Sequence, residues 1–180
     1  MLAKRGYQVT AFDPSLSAVQ LARCRAELAG EPIAIHQADL FGFSLGQSFD
    51  AIVCMDVLEH IDDDVRAVER LSGWLTDRGV LCVAVPALET LYGYHDEELG
   101  HYRRYSRQSL TTLLASSLEV EQCRFFGVLL IPVALLFSRI LRRPYPVGKA
   151  SGPVARRFFS LEKHWQPPCG TSLLALARMR

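Results

Sequence analysis

A short apolar run that stops abruptly at an acid is the feature that most constrains how this chain can fold. Phe49–Met55 has the length and composition of a buried strand, and Asp56, Glu59 and His60 follow it within one helical turn. Parallel strands of α/β proteins are buried on both faces and deliver functional side chains at their carboxyl ends. The run therefore predicts a parallel strand with a functional site at its end.

Strand-like runs alternate with helical patterns along the whole chain. The apolar spacing predicts strands at Tyr7–Phe12, Pro32–Gln37, Phe49–Met55, Val80–Val85, Val120–Phe126 and Thr171–Arg178. It also predicts helices at about Ser15–Leu28, from Asp62–Asp64 to Gly79, and from near Ser106, with a polar loop at Tyr92–Tyr105. This alternation predicts an α/β fold with a doubly wound, mostly parallel sheet.

Length and charge limit the class of protein. The 180 residues, 49% of them hydrophobic, are enough for one domain at 1–180, with an irregular apolar insertion at 127–168. Twenty basic residues against 19 acidic ones give a net charge of +1, which argues against a nucleic-acid partner. Five scattered cysteines without a Cys-x-x-Cys pair predict reduced thiols in a cytoplasmic protein and no metal bound by cysteine.

One segment raises the question of a membrane. Phe125–Ser138 is uncharged, and Arg139, Arg142 and Arg143 follow it. It is shorter than the roughly 20 residues that a spanning helix needs. We favour a buried strand end followed by a core helix. The alternative is peripheral membrane contact through 125–143, or a cover for a lipid-linked acceptor.

Two acids follow the first two predicted strands. Asp13 lies where nucleotide-binding α/β folds place an acid that accepts hydrogen bonds from ribose hydroxyls, although an Asp-Pro turn that starts a helix explains it equally well. Asp39 can accept a hydrogen bond from a purine amine while Leu40 packs on the ring, or it is a solvated loop acid.

The denser cluster is Asp56, Glu59 and His60. If a helix starts near Asp56, these side chains share one face. They could then hold a cation, act as a base or fix the ammonium group of a cofactor. The structural alternative is a capping acid, a solvated glutamate and a histidine in a crevice. Their position after a buried strand favours function.

A second polar segment, His95–Ser106, follows another predicted strand. It contains two histidines, two adjacent arginines and two tyrosines. Such groups can bind an anion and move a proton, so we interpret the segment as a substrate lid rather than a solvated loop.

Taken together, these motifs resemble class I S-adenosylmethionine-dependent methyltransferases, in particular a bacterial small-molecule and lipid-type subgroup. The resemblance runs through Gly6–Ser15, Ala38–Leu40, Phe49–Val53, Asp56–Ile61, Gly79–Pro86, His95–Ser106 and Gln166–Arg178. It implies a Rossmann-like sheet with an antiparallel last strand. It also implies S-adenosyl-L-methionine as cofactor and methyl transfer to an oxygen or nitrogen atom of a small or lipid-linked acceptor.

The resemblance also implies roles for single residues. Asp13 would bind the ribose, Asp39 and Leu40 the adenine, and Met55, Asp56 and Glu59 the methionine part of the cofactor. His101 is the candidate base and His60 the second candidate; His95, Arg103, Arg104 and Tyr105 would bind the acceptor. Some quinone O-methyltransferases tie an acid-x-x-Glu-His run to a divalent cation, but we assign no metal.

The chain departs from the family at its beginning. Members of the family start with a central strand and a glycine-rich turn, and neither precedes Tyr7–Phe12. We therefore expect a fragment, or a gene model begun at an internal Met, whose activity depends on residues before Met1. Translating the upstream DNA should then reveal a Gly-x-Gly strand–turn.

Two other functions remain open from the sequence. The first is a non-catalytic remnant or interaction module that keeps the methyltransferase fold. The second is an NAD-dependent dehydrogenase, which the Asp56–His60 cluster disfavours.

Overall fold

The computed structural model describes residues 2–44, 46–143, 162 and 165–180. They belong to two compact units, 1–46 and 47–180, which are described here one at a time.

The first unit is a strand–helix–strand motif. Strand β1 (Val9–Asp13) is followed by helix α1 (Leu16–Ala29) and strand β2 (Ile33–Gln37). The two strands pair in parallel from Val9 and Ile33 to Asp13 and Gln37. The Ser15 hydroxyl caps α1 by accepting a hydrogen bond from the Ala18 amide, and Gly30 ends it with a positive φ. This confirms the predicted elements.

The second unit is built on a four-stranded sheet. Its elements are β3 (Phe49–Met55), α2 (Asp64–Ser72), β4 (Leu75–Pro86), α3 (Tyr94–Leu99), α4 (Arg107–Ala115), β5 (Glu119–Phe126), α5 (Ile131–Leu135) and β6 (Ser172–Arg178). The strand order is β3-β4-β6-β5. Strands β3 and β4 are parallel, and β6 is antiparallel to both of its neighbours. The predicted mostly parallel sheet with an antiparallel last strand is confirmed.

The core of the second unit lies along β4 and β6. Leu81, Val83 and Val85 are buried on β4, and Leu173 and Ala177 are buried on β6. Helix α2 packs against β4, and α4 packs against β5 and β6. The sheet is thus covered by amphipathic helices, which present side chains such as Val68, Leu71, Leu110 and Leu114 to it.

The predicted helix from Asp62 to Gly79 is too long. Helix α2 ends at Gly73, and β4 already begins at Leu75, which pairs with Phe49. The pairing then jumps to Ala51 and Val80, so the intervening residues of β4 bulge out of register. A Cβ on Gly79 would lie 2.8 Å from the Leu75 Cβ. Gly79 therefore permits a close approach within a strand and does not end a helix.

The polar loop predicted at Tyr92–Tyr105 is also more ordered than expected. It contains α3, whose Asp96 side chain is fully buried. Arg104 and Tyr105, at the other end of the segment, are buried as well. The sequence pattern is polar because the segment folds around a buried ion pair, not because it is solvated.

The apolar segment does not form the core helix that we favoured. After a 3₁₀ turn at Val128–Leu130, α5 continues into a π-helical stretch, Leu136–Leu141. The small residues Ala134 and Ser138 face inward, whereas Leu135, Leu136 and Ile140 are exposed. The rest of the predicted insertion, 144–161 and 163–164, lies outside the described residues. Within the described ranges, none of the helices is long and apolar enough to cross a bilayer.

The central position of Leu81 can be tested by truncation. We expect Leu81→Ala to lower the free energy of unfolding by about 2–5 kcal/mol, because the side chain is fully buried in the middle strand. Leu99→Ala, at a half-exposed position, should cost less than about 1 kcal/mol. Urea unfolding followed by circular dichroism measures both, and equal losses would contradict the assigned core.

Candidate functional site

In the first unit, Asp13 stands at the carboxyl end of β1 and is exposed. One of its carboxylate oxygens accepts a hydrogen bond of 2.8 Å from the Ser15 amide. The acid therefore does start the turn into α1, as the structural alternative requires. Its ribose-binding role stays a prediction.

Asp39 is more firmly held than a solvated loop acid. Its Oδ1 accepts hydrogen bonds from the amides of Phe41 at 2.7 Å and Gly42 at 2.9 Å. These two bonds hold the pKa of Asp39 below its ordinary value. A Cβ on Gly42 would lie 3.1 Å from the other carboxylate oxygen, so Gly42 keeps that oxygen accessible. Leu40, beside it, is buried.

In the second unit, Asp56 follows the half-exposed Met55 at the end of β3. Its amide donates to the Ala84 carbonyl at 2.9 Å, and its φ of 51° is left-handed. Such a conformation is strained for a non-glycine residue, by about 1–3 kcal/mol, and clusters at functional sites. The condition of a helix starting near Asp56 is not met, because a 3₁₀ turn at Leu58–His60 follows instead. Burial raises the pKa of Asp56, and His101 and His60 partly offset this effect.

Glu59 lies fully buried in that turn. Neither of its carboxylate oxygens has a hydrogen-bond partner in the described part of the chain. Burial raises the pKa of Glu59 to about 7, and Asp56 contributes in the same direction. A buried acid without partners is costly in a folded protein, so it marks a site where a ligand, ion or proton is expected.

Asp96 is the functional residue that reasoning from the sequence missed. Its Oδ1 lies 2.9 Å from His101 Nδ1 and 2.8 Å from Arg104 Nε, and its Oδ2 accepts from the Gly93 amide at 3.1 Å. The spacing Asp96–His101–Arg104 was visible in the sequence. Only the burial of all three side chains shows that they form one network.

The two histidines predicted as bases lie side by side. The rings of His60 and His101 meet edge to face with centroids 4.6 Å apart. One donor atom from each histidine and a Glu59 oxygen all lie within 4.8 Å of one another. Burial and His101 lower the pKa of His60. The trio could share a proton or hold a divalent cation, and our assignment of no metal stays a prediction.

The predicted acceptor-binding residues occupy different environments. Arg104 is buried against Asp96 and donates to the Ala87 carbonyl at 3.2 Å. The Tyr105 hydroxyl donates to Asp64 at 2.8 Å, and burial raises its pKa. These two side chains bind protein groups, and their predicted contact with an acceptor stays a prediction.

Arg103 and His95 differ from that pair. Arg103 is partly exposed, although its guanidinium contacts Asp64 at 2.8 Å and donates to the Asp62 carbonyl at 2.7 Å. His95 is half-buried on α3, and burial lowers its pKa. Their predicted contact with an acceptor stays a prediction.

Part of this chain is similar in sequence to known methyltransferases. Residues 1–83 match the sequence profile of a family described as Methyltransferase domain. A relative from Actinobacillus pleuropneumoniae serotype 7, named ubiquinone biosynthesis O-methyltransferase, is 33% identical over 86 residues. That match covers 44% of this chain and 37% of the relative. The chain thus spans well under half the length of this relative.

Solved structures share the fold. The N-methyltransferase NodS from Bradyrhizobium japonicum, in complex with S-adenosyl-L-homocysteine, superposes with a TM-score of 0.61 over 96% of this chain and 66% of that one, at 17% identity. The described residues thus share the fold of these methyltransferases, and residues 1–83 are similar in sequence to the methyltransferase domain family. The [4+2]-cyclase SpnF, with a TM-score of 0.65 over 99% of this chain and 68% of its own, shares this methyltransferase fold at 16% identity. Proteins with this fold thus catalyse different reactions, and the side chains of the site determine which reaction takes place.

The buried Glu59 predicts a pH-dependent stability. Because the folded pKa lies above the ordinary 4.5, stability is full below about pH 4.5 and is lost as the pH rises through about 7. In metal-free buffer, Glu59→Gln should gain roughly 2–3 kcal/mol over the wild type between about pH 5 and about pH 8. Urea titrations at both pH values measure the difference.

The matched control for that titration is Glu119→Gln, on an exposed glutamate of β5. It should follow the wild type at both pH values. A Glu59→Gln advantage that is constant with pH, or that shrinks as the pH rises, would show that the carboxylate is not destabilised by burial.

Proposed function

We propose that the chain is the S-adenosylmethionine-dependent part of a methyltransferase that acts on an oxygen or nitrogen atom of a small acceptor. The observation that carries the proposal is the His101–Asp96 pair beside Glu59 and His60, directly after a parallel strand of a methyltransferase fold. The printed name of the curated relative, an O-methyltransferase, favours oxygen as the methylated atom.

The cofactor roles carry over from the family to matching residues. Asp13 would bind the ribose hydroxyls, while Asp39, held ionised by two backbone amides, and Leu40 would recognise the adenine. Met55, Asp56 and Glu59 would contact the methionine part. The complex of NodS with S-adenosyl-L-homocysteine supports this class of ligand.

Methyl transfer requires few catalytic groups from the protein, because the cofactor itself is reactive. When bound, the sulfonium cofactor supplies an already activated methyl group. The chain has to align the acceptor and remove its proton. We assign proton removal to His101, whose Nδ1 is engaged by Asp96, and the second position to His60. Arg103, partly exposed beside the Tyr102 ring, would bind an acidic group of the acceptor.

Cofactor binding is the first test. Calorimetry with S-adenosyl-L-homocysteine should detect binding, and Asp13→Ala should weaken it about tenfold or more, because a charge-assisted hydrogen bond is worth about 1.5–3 kcal/mol. Asp77→Ala, on an exposed acid of β4, is the control and should bind like the wild type.

The two possible failures of this titration have different meanings. Absence of binding would favour the non-catalytic module over the enzyme. Binding that Asp13→Ala leaves unchanged would reject the ribose role while leaving the methyltransferase standing.

The acceptor class and its location can be proposed more finely. The exposed side chains Leu136, Ile140 and Leu141 form an apolar surface, and Arg142 and Arg143 continue it. From 125 to 161 the sequence has six basic residues and no acid. Apolar side chains bordered by positive charge fit an anionic membrane surface. We therefore assign peripheral membrane contact through 125–143 and a lipid-linked acceptor.

Vesicle co-sedimentation tests this surface. The chain should pellet with phosphatidylglycerol-containing vesicles and much less with pure phosphatidylcholine. Arg142→Gln together with Arg143→Gln should lower the partition at least tenfold, since each basic side chain near an anionic surface contributes about 1 kcal/mol. The control pair Arg5→Gln and Arg25→Gln, also exposed, should have little effect. Equal pelleting of both double variants would reject this surface.

A further inference from the structure

We propose that Asp96 is a positioning residue: it fixes the ring and the tautomer of His101, so that Nε2 is the atom that accepts the acceptor's proton. The inference rests on the proposed function for its catalytic meaning. Its structural content, the tautomer of His101, can be tested without any turnover.

Asp96 has more hydrogen-bond donors than a helix cap requires. Its side chain is fully buried and takes hydrogen bonds on both oxygens, from His101, Arg104 and the Gly93 amide. A helix cap needs only the last of these bonds. The other two draw a histidine and an arginine into the interior, at a desolvation cost that a cap alone would not require.

The contact with Asp96 determines which nitrogen of His101 carries the proton. An ionised carboxylate only accepts hydrogen bonds, so the hydrogen between Asp96 Oδ1 and His101 Nδ1 must reside on Nδ1. In the neutral ring, Nε2 then carries the lone pair. The ring of His101 also contacts the ring of His60, so its orientation is fixed on a second side.

The contacts of Arg104 indicate that Asp96 orients the ring of His101 and does not itself take up the proton. Its guanidinium donates to the same Oδ1 atom that faces His101, and also to the Ala87 carbonyl just after β4. It balances the charge of Asp96 in the interior and anchors the carboxylate to the sheet. Asp96 thus orients His101 without being the base itself.

The backbone of His101 is held independently of Asp96's carboxylate. The Tyr92 hydroxyl donates to the His101 carbonyl at 2.8 Å, and the Tyr102 amide donates to the Glu59 carbonyl at 2.8 Å. Loss of the Asp96 carboxylate should therefore free the imidazole ring while the chain around it stays in place.

The decisive measurement is nitrogen-15 NMR of the histidine rings in the intact chain. For His101 we expect a protonated Nδ1 and an unprotonated Nε2 in the neutral ring, assigned by the loss of the signal in His101→Gln. Asp96→Asn should convert this into a mixture of tautomers, and Glu98→Gln, on the exposed side of α3, should leave it unchanged. A protonated Nε2 in the wild type would overturn the proposal, even if Asp96→Asn did not fold.

A kinetic cycle tests the catalytic meaning, with labelled cofactor and 3,4-dihydroxybenzoate as acceptor probe. Asp96→Asn should lower kcat about 10- to 100-fold with little change in KM, and Asp96→Glu should recover part of it. In a His101→Gln background the same change should have no further effect. Additive losses would overturn the proposal. No turnover by the wild type, combined with the expected tautomer, would reject the proposed function and leave the positioning of His101 intact.

Discussion

The burial of the Asp96 carboxylate is the constraint on which the candidate site depends. A buried carboxylate is tolerated only when donors surround it, and here the donors come from Gly93, His101 and Arg104. These residues lie on both sides of α3, so the single carboxylate joins the side chains of His101 and Arg104 in one network. The Tyr102 amide joins this segment to the Leu58–His60 turn through the Glu59 carbonyl. The backbone contacts place His101 beside His60, and Asp96 sets the orientation of its ring.

Much of the fold could be predicted because the spacing of apolar residues agrees with the residues that begin and end the helices. Ser15 and Gly30 bound α1 as their chemistry requires, and the alternation of β6 matches its burial. The length of α2 could not be predicted, because Leu75 continues the apolar stripe of the helix. Its pairing with Phe49 in the sheet, a contact distant in sequence, decides its conformation. The local sequence pattern cannot show whether an apolar residue such as Leu75 belongs to the stripe of a helix or to the following strand.

Reasoning from the sequence named most of the residues that the structure brings together here, but it missed Asp96 and the geometry of the group. Asp56, Glu59, His60 and His101 were recognisable as polar groups that follow strands. The helical spacing assumed for the first three fails because Asp56 turns left-handed and only a 3₁₀ turn follows. Arg104 looked like an anion-binding side chain, since sequence alone does not show that Asp96 is buried next to it. An ion pair between two residues of the same segment cannot be recognised from the sequence until the burial of their side chains is known.

Asp96 and Glu59 are two buried carboxylates that the structure treats in opposite ways. Asp96 accepts hydrogen bonds from three donors, whereas the Glu59 side chain accepts none from the part of the chain that the structure describes, although its backbone carbonyl is bound by the same segment. Both carboxylates are buried next to the same segment. They differ in their hydrogen bonds because, among the described residues, the sequence places donors beside Asp96 and not beside Glu59. A fold selected for stability alone would satisfy or remove Glu59. Together with the strained Asp56, the unsatisfied Glu59 concentrates the energetic cost of this unit at the carboxyl end of β3. The carboxyl end of a parallel strand is where open α/β sheets place their functional side chains.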